Sequence, residues 1–330
     1  MRFFIANIIR TFFIVSIMIG GVCIIALWLG GAKPPSPRLV YMSNISPNSD
    51  NWDLFMLDLP TKNVIRLTTT LRINERYPAW SSDGTQIAYH ANANQSYNIF
   101  IMPMADTNNI TTPFVPEGNM GGLAIAYDKA MPAWSYDDQF IGFHAKTQNG
   151  RYGLFMGRAD GSEMRMLISP LEGLDIIHYA WSPNGEEIAF TETTNAGSKI
   201  YLFTIPEGIQ NATTNRVNMR LFAENASFPA WSPDGTKLAY IKDGDRGSRI
   251  FVYDVISQTE TQIPPEDDNR IFEDTHPEWS DDSQSIIFAS DRQGIEFDLY
   301  IIQINGEHLQ RLTWFDGDEL APDWVVYEGG

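Results

Sequence analysis

The chain has 330 residues, a formal net charge of −18 at pH 7 and one cysteine. A surface of this sign repels phosphate backbones and lacks the basic stripe that nucleic-acid binding requires, so we expect no nucleic-acid partner. The single cysteine excludes a disulfide framework. The negative charge is compatible with binding of basic partners or divalent cations. Its simplest explanation is that it keeps the protein soluble.

The first predicted element is a transmembrane anchor at residues 11–32, a stretch without any charged residue. As a helix, 22 residues span about 33 Å, enough for a hydrocarbon core of about 30 Å. A cleavable signal peptide is the alternative, although its apolar region has only about 7–15 residues. Arg2 and Arg10 lie in residues 1–10, which we expect to be a short cytoplasmic tail, with the rest of the chain outside the cytoplasm. Residues 33–37 are the predicted linker.

Residues 38–330 contain a repeat. The stretch FPAWSPDGTKLAY at 228–240 has related copies at 77–89, 131–143, 178–190 and 276–288, and a partial copy at 321–327. Each copy contains one tryptophan, and the set is Trp80, Trp134, Trp181, Trp231, Trp279 and Trp324. Their spacings of 54, 47, 50, 48 and 45 residues match one four-stranded propeller blade, which needs about 40–50 residues.

A second signature, an aliphatic-aromatic pair in an apolar run, also occurs six times. The first copy of this signature, DLFML at 53–57, comes before the first tryptophan hairpin, and the last tryptophan, Trp324, has no copy after it. A closed ring explains both observations. We therefore predict an all-β, six-bladed propeller of four-stranded antiparallel blades, in which the C-terminal strand completes the sheet begun at 38–42.

Within each copy the residues alternate with period 2, as half-buried strands require. Asp-Gly and Asn-Gly pairs follow three of the tryptophans and supply the positive φ of tight turns. Asp138 and Ser283 replace the glycine in two copies, and we expect those turns to be looser. A tryptophan repeated in every blade is interpreted as a core residue between blades rather than as a ligand platform.

The Pro-Ala-Trp-Ser-Pro-Asp-Gly stretch at 229–235 and the run SDRQGIEFDLYIIQINGEHLQRLT at 290–313 resemble the repeat of TolB-type β-propellers. The resemblance covers roughly residues 38–328 and implies their fold. TolB proteins are periplasmic and carry an α/β domain ahead of the propeller, whereas here only residues 33–37 separate the predicted anchor from the first predicted strand. One fold hosts many functions, so the resemblance implies little about the ligand.

A candidate binding ring lies six residues before each tryptophan, where every residue is Asp, Glu or Asn: Asn74, Asp128, Asp175, Asn225, Glu273 and Asp318. In a closed propeller these residues form a girdle at one mouth of the central channel, with Glu75, Asp274 and Glu319 beside it. The girdle could bind a partner or Ca²⁺. The alternative is that Asx side chains hydrogen-bond nearby backbone in turns.

Other candidates are weaker. His90 and His144 end equivalent strands of neighbouring blades, where a metal pair is less expected than a tolerant surface position. His178 and His276 precede the tryptophan strand in non-adjacent blades. The sequence contains no G-x-S-x-G, H-E-x-x-H, P-loop or dinucleotide motif.

We therefore expect a non-catalytic, membrane-anchored scaffold in the cell envelope, without a cofactor, that binds an envelope protein, peptide or glycan. The alternative is a lyase or hydrolase that degrades a polysaccharide or peptide at the channel mouth. Two or more histidines converging on the channel together with a carboxylate would rank the enzyme above the scaffold.

Overall fold

A computed structural model describes residues 13–19, 22–28, 36–45, 51–93, 96–114, 128–205, 218–263 and 270–327. The first two strands, β1 (Phe13–Ile19) and β2 (Val22–Trp28), form an antiparallel hairpin. The helix expected over residues 11–32 is thus not shown, and the segment is rich in Ile, Val and Phe, which favour strands. Among the described residues, no helix is long and apolar enough to cross a membrane. The expected tail at residues 1–10 lies outside them.

The other strands form six antiparallel sheets, which we call blades I to VI. Each blade is given from its inner strand outward. Blade I contains β25 (Glu319–Tyr327), β3 (Ser36–Ser43), β4 (Asp53–Asp58) and β5 (Asn63–Arg66). Blade II contains β6 (Glu75–Trp80), β7 (Gln86–Ala91) and β8 (Asn98–Pro103). Blade III contains β9 (Ala130–Trp134), β10 (Phe140–Lys146), β11 (Tyr152–Arg158) and β12 (Arg165–Ile168).

Blades IV to VI repeat this order with four strands each. Blade IV contains β13 (Asp175–Trp181), β14 (Glu187–Thr194), β15 (Gly197–Thr204) and β16 (Met219–Glu224). Blade V contains β17 (Ala226–Trp231), β18 (Lys237–Gly244), β19 (Gly247–Asp254) and β20 (Thr259–Ile263). Blade VI contains β21 (Asp274–Trp279), β22 (Ser285–Ser290), β23 (Asp298–Gln303) and β24 (Gln310–Arg311).

The predicted ring closure is confirmed. Strand β25 pairs antiparallel with β3, so that Trp324 lies opposite Leu39 and Asp323 opposite Val40. Five blades have four described strands; in blade II the fourth position is a single bridge between Ile101 and Thr111. The ring therefore has six blades, and no inner strand is missing.

The core lies between successive blades. In one cluster Val40 and Met56 of blade I pack with Trp80 and Ile87 of blade II, and all four are buried. Alternate strand residues point to opposite faces of a sheet, so each blade presents one apolar set to each neighbour.

The two turns without glycine have the same geometry as the others, and the expectation that they are looser is wrong. Asp138 and Ser283 have φ of 55° and 57°, close to the 68° of Gly84 and Gly235. Both side chains bind the equivalent turn of the preceding blade: the Asp138 carboxylate accepts a hydrogen bond from Ser82 Oγ at 2.7 Å, and Ser283 Oγ accepts one from Asp234 N at 3.2 Å.

Candidate binding site in the central channel

The inner strand of every blade contains a bulge three residues before its tryptophan. The pairing register shifts there in all six blades, and the residue has φ between 44° and 52°. These residues are Tyr77, Met131, His178, Phe228, His276 and Ala321. None is β-branched, which suits a left-handed backbone. A bulge re-aims a side chain, and all six residues line the central channel.

Four of these side chains are rings that meet across the channel. The centroid of Phe228 lies 3.6 Å from that of His178 and 4.3 Å from that of His276. His276 also lies 5.6 Å from Tyr77 of a non-adjacent blade. The rings thus bridge the channel at this level, which we call the waist.

Both waist histidines are neutral at pH 7. Burial lowers the pKa of His276 to about 3. Burial, with smaller contributions from His276 and His144, holds the pKa of His178 well below its ordinary value. Nδ1 of His178 and Nε2 of His276 are buried without a hydrogen-bond partner in the described part of the chain.

The position directly before the tryptophan distinguishes two blades from the others. It is alanine in blades II to V (Ala79, Ala133, Ala180 and Ala230), but Glu278 in blade VI and Asp323 in blade I. One Glu278 oxygen accepts a hydrogen bond from Trp279 N at 3.0 Å. Both Asp323 oxygens are occupied, one by Trp324 N at 3.0 Å and the other by Trp80 N of blade II.

These two carboxyl groups raise each other's cost of ionisation. Burial and the neighbouring Asp323 raise the pKa of Glu278 well above its ordinary value. Burial, opposed by two backbone hydrogen bonds and assisted by the charge of Asp281, raises the pKa of Asp323 to about 7. A buried carboxylate with no cation beside it is costly.

Two cavities lie along the channel. The smaller, of about 170 Å³, is lined by the waist residues together with Glu278 and Asp323. The larger, of about 560 Å³, opens at the end of the inner strands, and we call it the recess. It is lined by all six repeat tryptophans, by Glu278, and by Asp281. No lysine or arginine is among the described residues that line the recess.

The tryptophans contact both the neighbouring blade and the recess. Trp134 Nε1 donates to Ala79 O at 3.2 Å, and Trp279 Nε1 donates to Ala230 O at 2.9 Å, each across a blade boundary. Trp80 and Trp279 are buried, at 5% and 1% exposed, whereas the other four are half-buried. The same residue type thus packs blades together and provides the aromatic wall of the recess.

The candidate ring of Asx and Glu residues lies at the opposite ends of the inner strands. Four members accept a hydrogen bond from the backbone at the start of the third strand of the preceding blade. The pairs are Asn74 with Trp52 N (2.9 Å), Asp128 with Tyr97 N (3.5 Å), Asp175 with Tyr152 N (2.9 Å) and Asp318 with Phe297 N (3.0 Å). These side chains therefore tie adjacent blades together.

Some members of the ring also have cationic partners. Lys146 Nζ lies 2.7 Å from Asp128, and an Arg151 nitrogen lies 3.0 Å from Asp175. Asn225 accepts a hydrogen bond from Asp243 N through its backbone carbonyl, and Glu273 N donates to Asp291 at 2.6 Å. The negative charge at this mouth is thus partly neutralised.

The acids beside the ring are buried inside the blades. Glu75 accepts a hydrogen bond from Thr70 Oγ1 at 2.6 Å, and Glu319 accepts one from Ser43 Oγ at 3.1 Å. Asp274 forms a 2.7 Å ion pair with Arg292. They are structural groups of the blade interior rather than part of a channel rim.

His90 and His144 are buried and bind neighbouring backbone. His90 Nδ1 accepts a hydrogen bond from Met131 N at 2.9 Å, and His144 Nδ1 donates to Ile176 O at 2.7 Å. They are therefore not the exposed positions that the sequence suggested. In the part of the chain that the structure describes, no group of three or more His, Cys, Asp or Glu residues could hold a metal ion.

Glu278 and Asp323 are not among the site residues predicted from the sequence. Their signal was present in the repeat, because the alanine before the tryptophan is replaced by an acid in only two copies, and these copies become neighbours once the ring closes. Alignment of the six copies by their tryptophans would have exposed the substitution.

A protein-family model described as the TolB beta propeller domain matches residues 139–328. No curated protein matches the sequence. Among solved structures, TolB of Acinetobacter baumannii is 18% identical with a TM-score of 0.67, over 87% of this chain and 66% of that one. This chain thus spans slightly less than two thirds of that TolB.

Two further structures show the same fold. A TolB-type protein of Agrobacterium tumefaciens is 15% identical with a TM-score of 0.64, over 88% of this chain and 92% of that one. A chain of the nidogen/laminin complex is 10% identical with a TM-score of 0.63, over 88% and 99%. At these identities the likeness concerns the propeller fold alone.

Proposed function

The chain belongs to the TolB β-propeller family, and from this membership we propose that it is a non-catalytic binding scaffold of the cell envelope. Its binding site is the recess, and its partner is an envelope protein that inserts a peptide segment there. Propellers combine a rigid body with a concave mouth, which suits such recognition.

The observation that supports the proposal most is the recess itself. Its volume of about 560 Å³ falls within the range of about 300–1,000 Å³ typical of ligand sites. Tryptophan and tyrosine, the residues that dominate binding hot spots, form much of its wall, and Tyr136 stands 64% exposed at its rim. The waist rings bridge the channel below the recess, so a partner segment enters the recess from its open end.

The enzyme alternative has one observation in its favour. His178 and His276 line the smaller cavity together with Glu278 and Asp323, which is the combination that would suggest catalysis. However, no hydrogen bond or ion pair joins either imidazole to either carboxyl group within the described residues, and both imidazoles pack against Phe228 in the waist. A cavity of about 170 Å³ is also smaller than typical substrate sites. Binding is therefore the better-supported function.

Site-specific photo-crosslinking tests the scaffold function in the full chain. A benzophenone side chain at position 136 reports on the recess, and one at position 295 reports on the opposite face, where Ile295 is 94% exposed. We expect an envelope protein to crosslink from position 136 and not from 295. Crosslinks only from 295, or none from either, contradict the proposal. Degradation of envelope glycan or peptide by the purified chain would instead support the enzyme.

We further propose that residues 11–32 anchor the propeller to the membrane, with residues 1–10 in the cytoplasm. The support is their length and lack of charge. Strand β3 begins at Ser36, which pairs with Tyr327 just beyond Trp324. An anchor therefore joins the propeller on the face that carries the recess, and the partner segment lies near the bilayer.

The only cysteine, Cys23, provides a test of the anchor. In intact membranes we expect a maleimide reagent to leave the chain unlabelled and to label it after detergent is added. Labelling before detergent contradicts a buried anchor. A mature chain that contains no thiol shows that the segment has been cleaved.

A further inference from the structure

Acidic side chains lie on one side of the recess only. Glu278 and Asp323 stand in adjacent blades at a position that is alanine in the other four. Glu278 and Asp281 line the recess, whereas Asp323 lines the adjoining smaller cavity. Packing does not require Glu278, because alanine completes the same inner strand in blades II to V.

Glu278 has one oxygen available for a ligand. Its other oxygen accepts a hydrogen bond from Trp279 N, and no second partner exists within the described residues. Both oxygens of Asp323, by contrast, hold backbone groups. Because no lysine or arginine lines the recess in the described part of the chain, Glu278 lacks a counter-ion there.

The walls complement a cation and a peptide backbone. Indole faces attract ammonium and guanidinium groups, most strongly when the pair is shielded from water. Trp80 is 5% exposed, and its buried indole N–H has no acceptor among the described residues; the same holds for the indole N–H groups of Trp181 and Trp231. An indole nitrogen can only donate, so a ligand with carbonyl oxygens would satisfy these groups after a small side-chain shift.

We propose that the recess binds a lysine or arginine side chain of the partner's inserted segment, with the Glu278 carboxylate as its counter-ion. This inference rests on the proposed function, since it names the chemistry of the segment that occupies the same site. Asp281 is a second acidic group of the recess wall, and Asp323 lies in the adjoining smaller cavity. The indoles cover the alkyl stem, and the neutral waist histidines contribute no opposing charge.

A pair of synthetic peptides tests this inference without knowledge of the natural partner. Acetyl-Gly-Arg-Gly-amide carries a guanidinium group, and acetyl-Gly-citrulline-Gly-amide is its uncharged isostere. Each is titrated into the full chain in detergent while the indole N–H resonances are followed by NMR. We expect the arginine peptide, and a lysine analogue, to shift the recess indoles at concentrations where the citrulline peptide does not.

Glu278→Ala provides the decisive variant because it installs the residue that four blades already have and should fold. It should reduce arginine-peptide affinity about tenfold, which is the loss of one charge-assisted contact of about 1.4 kcal/mol. Glu172→Gln, at an exposed acid on the opposite face, is the control and should leave affinity unchanged. Equal shifts from the arginine and citrulline peptides, or equal affinity of Glu278→Ala, overturn the inference.

The two proposals can fail separately. If the position-136 crosslink to an envelope protein persists in Glu278→Ala at wild-type yield, the scaffold function stands and the cation inference falls. If no envelope protein crosslinks but the arginine peptide binds through Glu278, the cation site stands and the scaffold function falls.

Discussion

The backbone N–H of Trp80 donates a hydrogen bond to the Asp323 carboxylate, although 243 residues separate them in the sequence. The bond joins blade II to the strand that closes blade I. The other Asp323 oxygen accepts from Trp324 N, so this one side chain satisfies two backbone donors at the site of closure.

Replacement of Asp323 should therefore destabilise the closed ring. Asp323→Ala leaves both N–H groups without an acceptor, at about 1–3 kcal/mol each, and we expect an unfolding free energy lower by about 2–5 kcal/mol in urea. Asp323→Asn retains one acceptor oxygen and should lose about half as much. Equal unfolding free energies of Asp323→Ala and wild type would show that these two hydrogen bonds do not contribute to stability.

Glu278 should have the opposite effect on stability. Its buried carboxyl group has a raised pKa because ionisation is disfavoured there, so Glu278→Ala removes a destabilising group. We expect its thermal midpoint to be at least as high as that of wild type, while its affinity for the arginine peptide falls about tenfold. A clear loss of stability would indicate that the acid has a packing role instead.

The tryptophans should differ according to their burial. Trp279 is fully buried and bonded to Ala230 O, and Trp279→Ala should cost about 3–5 kcal/mol. Trp181 is half-buried and faces the recess, so Trp181→Ala should cost less and weaken peptide binding more. The comparison requires denaturation and titration of both variants; the reverse order would contradict the double role assigned to the tryptophans.

Stability should fall as the pH rises above neutrality. Burial raises the pKa of Glu75 to about 7 and that of Glu319 to about 8, against 4.5 for an unperturbed Glu. Between pH 4.5 and the raised pKa of each group, the folded chain keeps a proton on that carboxyl group that the unfolded chain has released. The contribution to stability is therefore complete below pH 4.5 and is lost as the pH rises through about 7 to 8.

Thermal unfolding between about pH 7.5 and pH 9 measures this effect, because unfolded histidines, with an ordinary pKa of about 6.5, are almost entirely neutral in that range. Glu319→Gln, which cannot ionise, should show a shallower decline than wild type. Glu172→Gln should decline like wild type, since Glu172 is exposed. Identical slopes for all three chains would exclude a contribution from Glu319.

The ring of Asx and Glu residues is tested by removing charge while keeping the acceptors. Asp128→Asn, Asp175→Asn and Asp318→Asn together retain the amide oxygens that can hold the preceding blade. If the ring binds Ca²⁺ or a basic partner, calorimetric titration should show weaker binding in the triple variant. Unchanged titrations would leave the ring with its structural bonds alone.

The blade number, the closing strand and the turns were predictable because they depend on local chemistry repeated six times. A tryptophan, a tight turn and an alternating run occur in every copy, and their register follows from period 2. Even Asp138 and Ser283 keep the turn geometry, although their compensating inter-blade contacts depend on residues from another copy.

The site was less predictable because it arises from differences between copies that only the ring brings together. His178 and His276 lie in non-adjacent blades. Their contact with Phe228 depends on a left-handed bulge that cannot be recognised from the sequence of any one copy. The exposure of His90 was also misjudged, since its Nδ1 binds Met131 N of the next blade. Long-range packing, rather than propensity, decides these positions.

The closing strand also determines when this protein can become complete during translation. Ser43 of β3 is bonded to Glu319 of β25 across 276 residues, which a ribosome adds in roughly 14–55 seconds at about 5–20 residues per second. Throughout that interval the inner edge of the first blade has no strand to pair with, although its other strands already exist. The nascent chain therefore carries an unpaired strand edge until its last strand is made, and such an edge can pair with other chains.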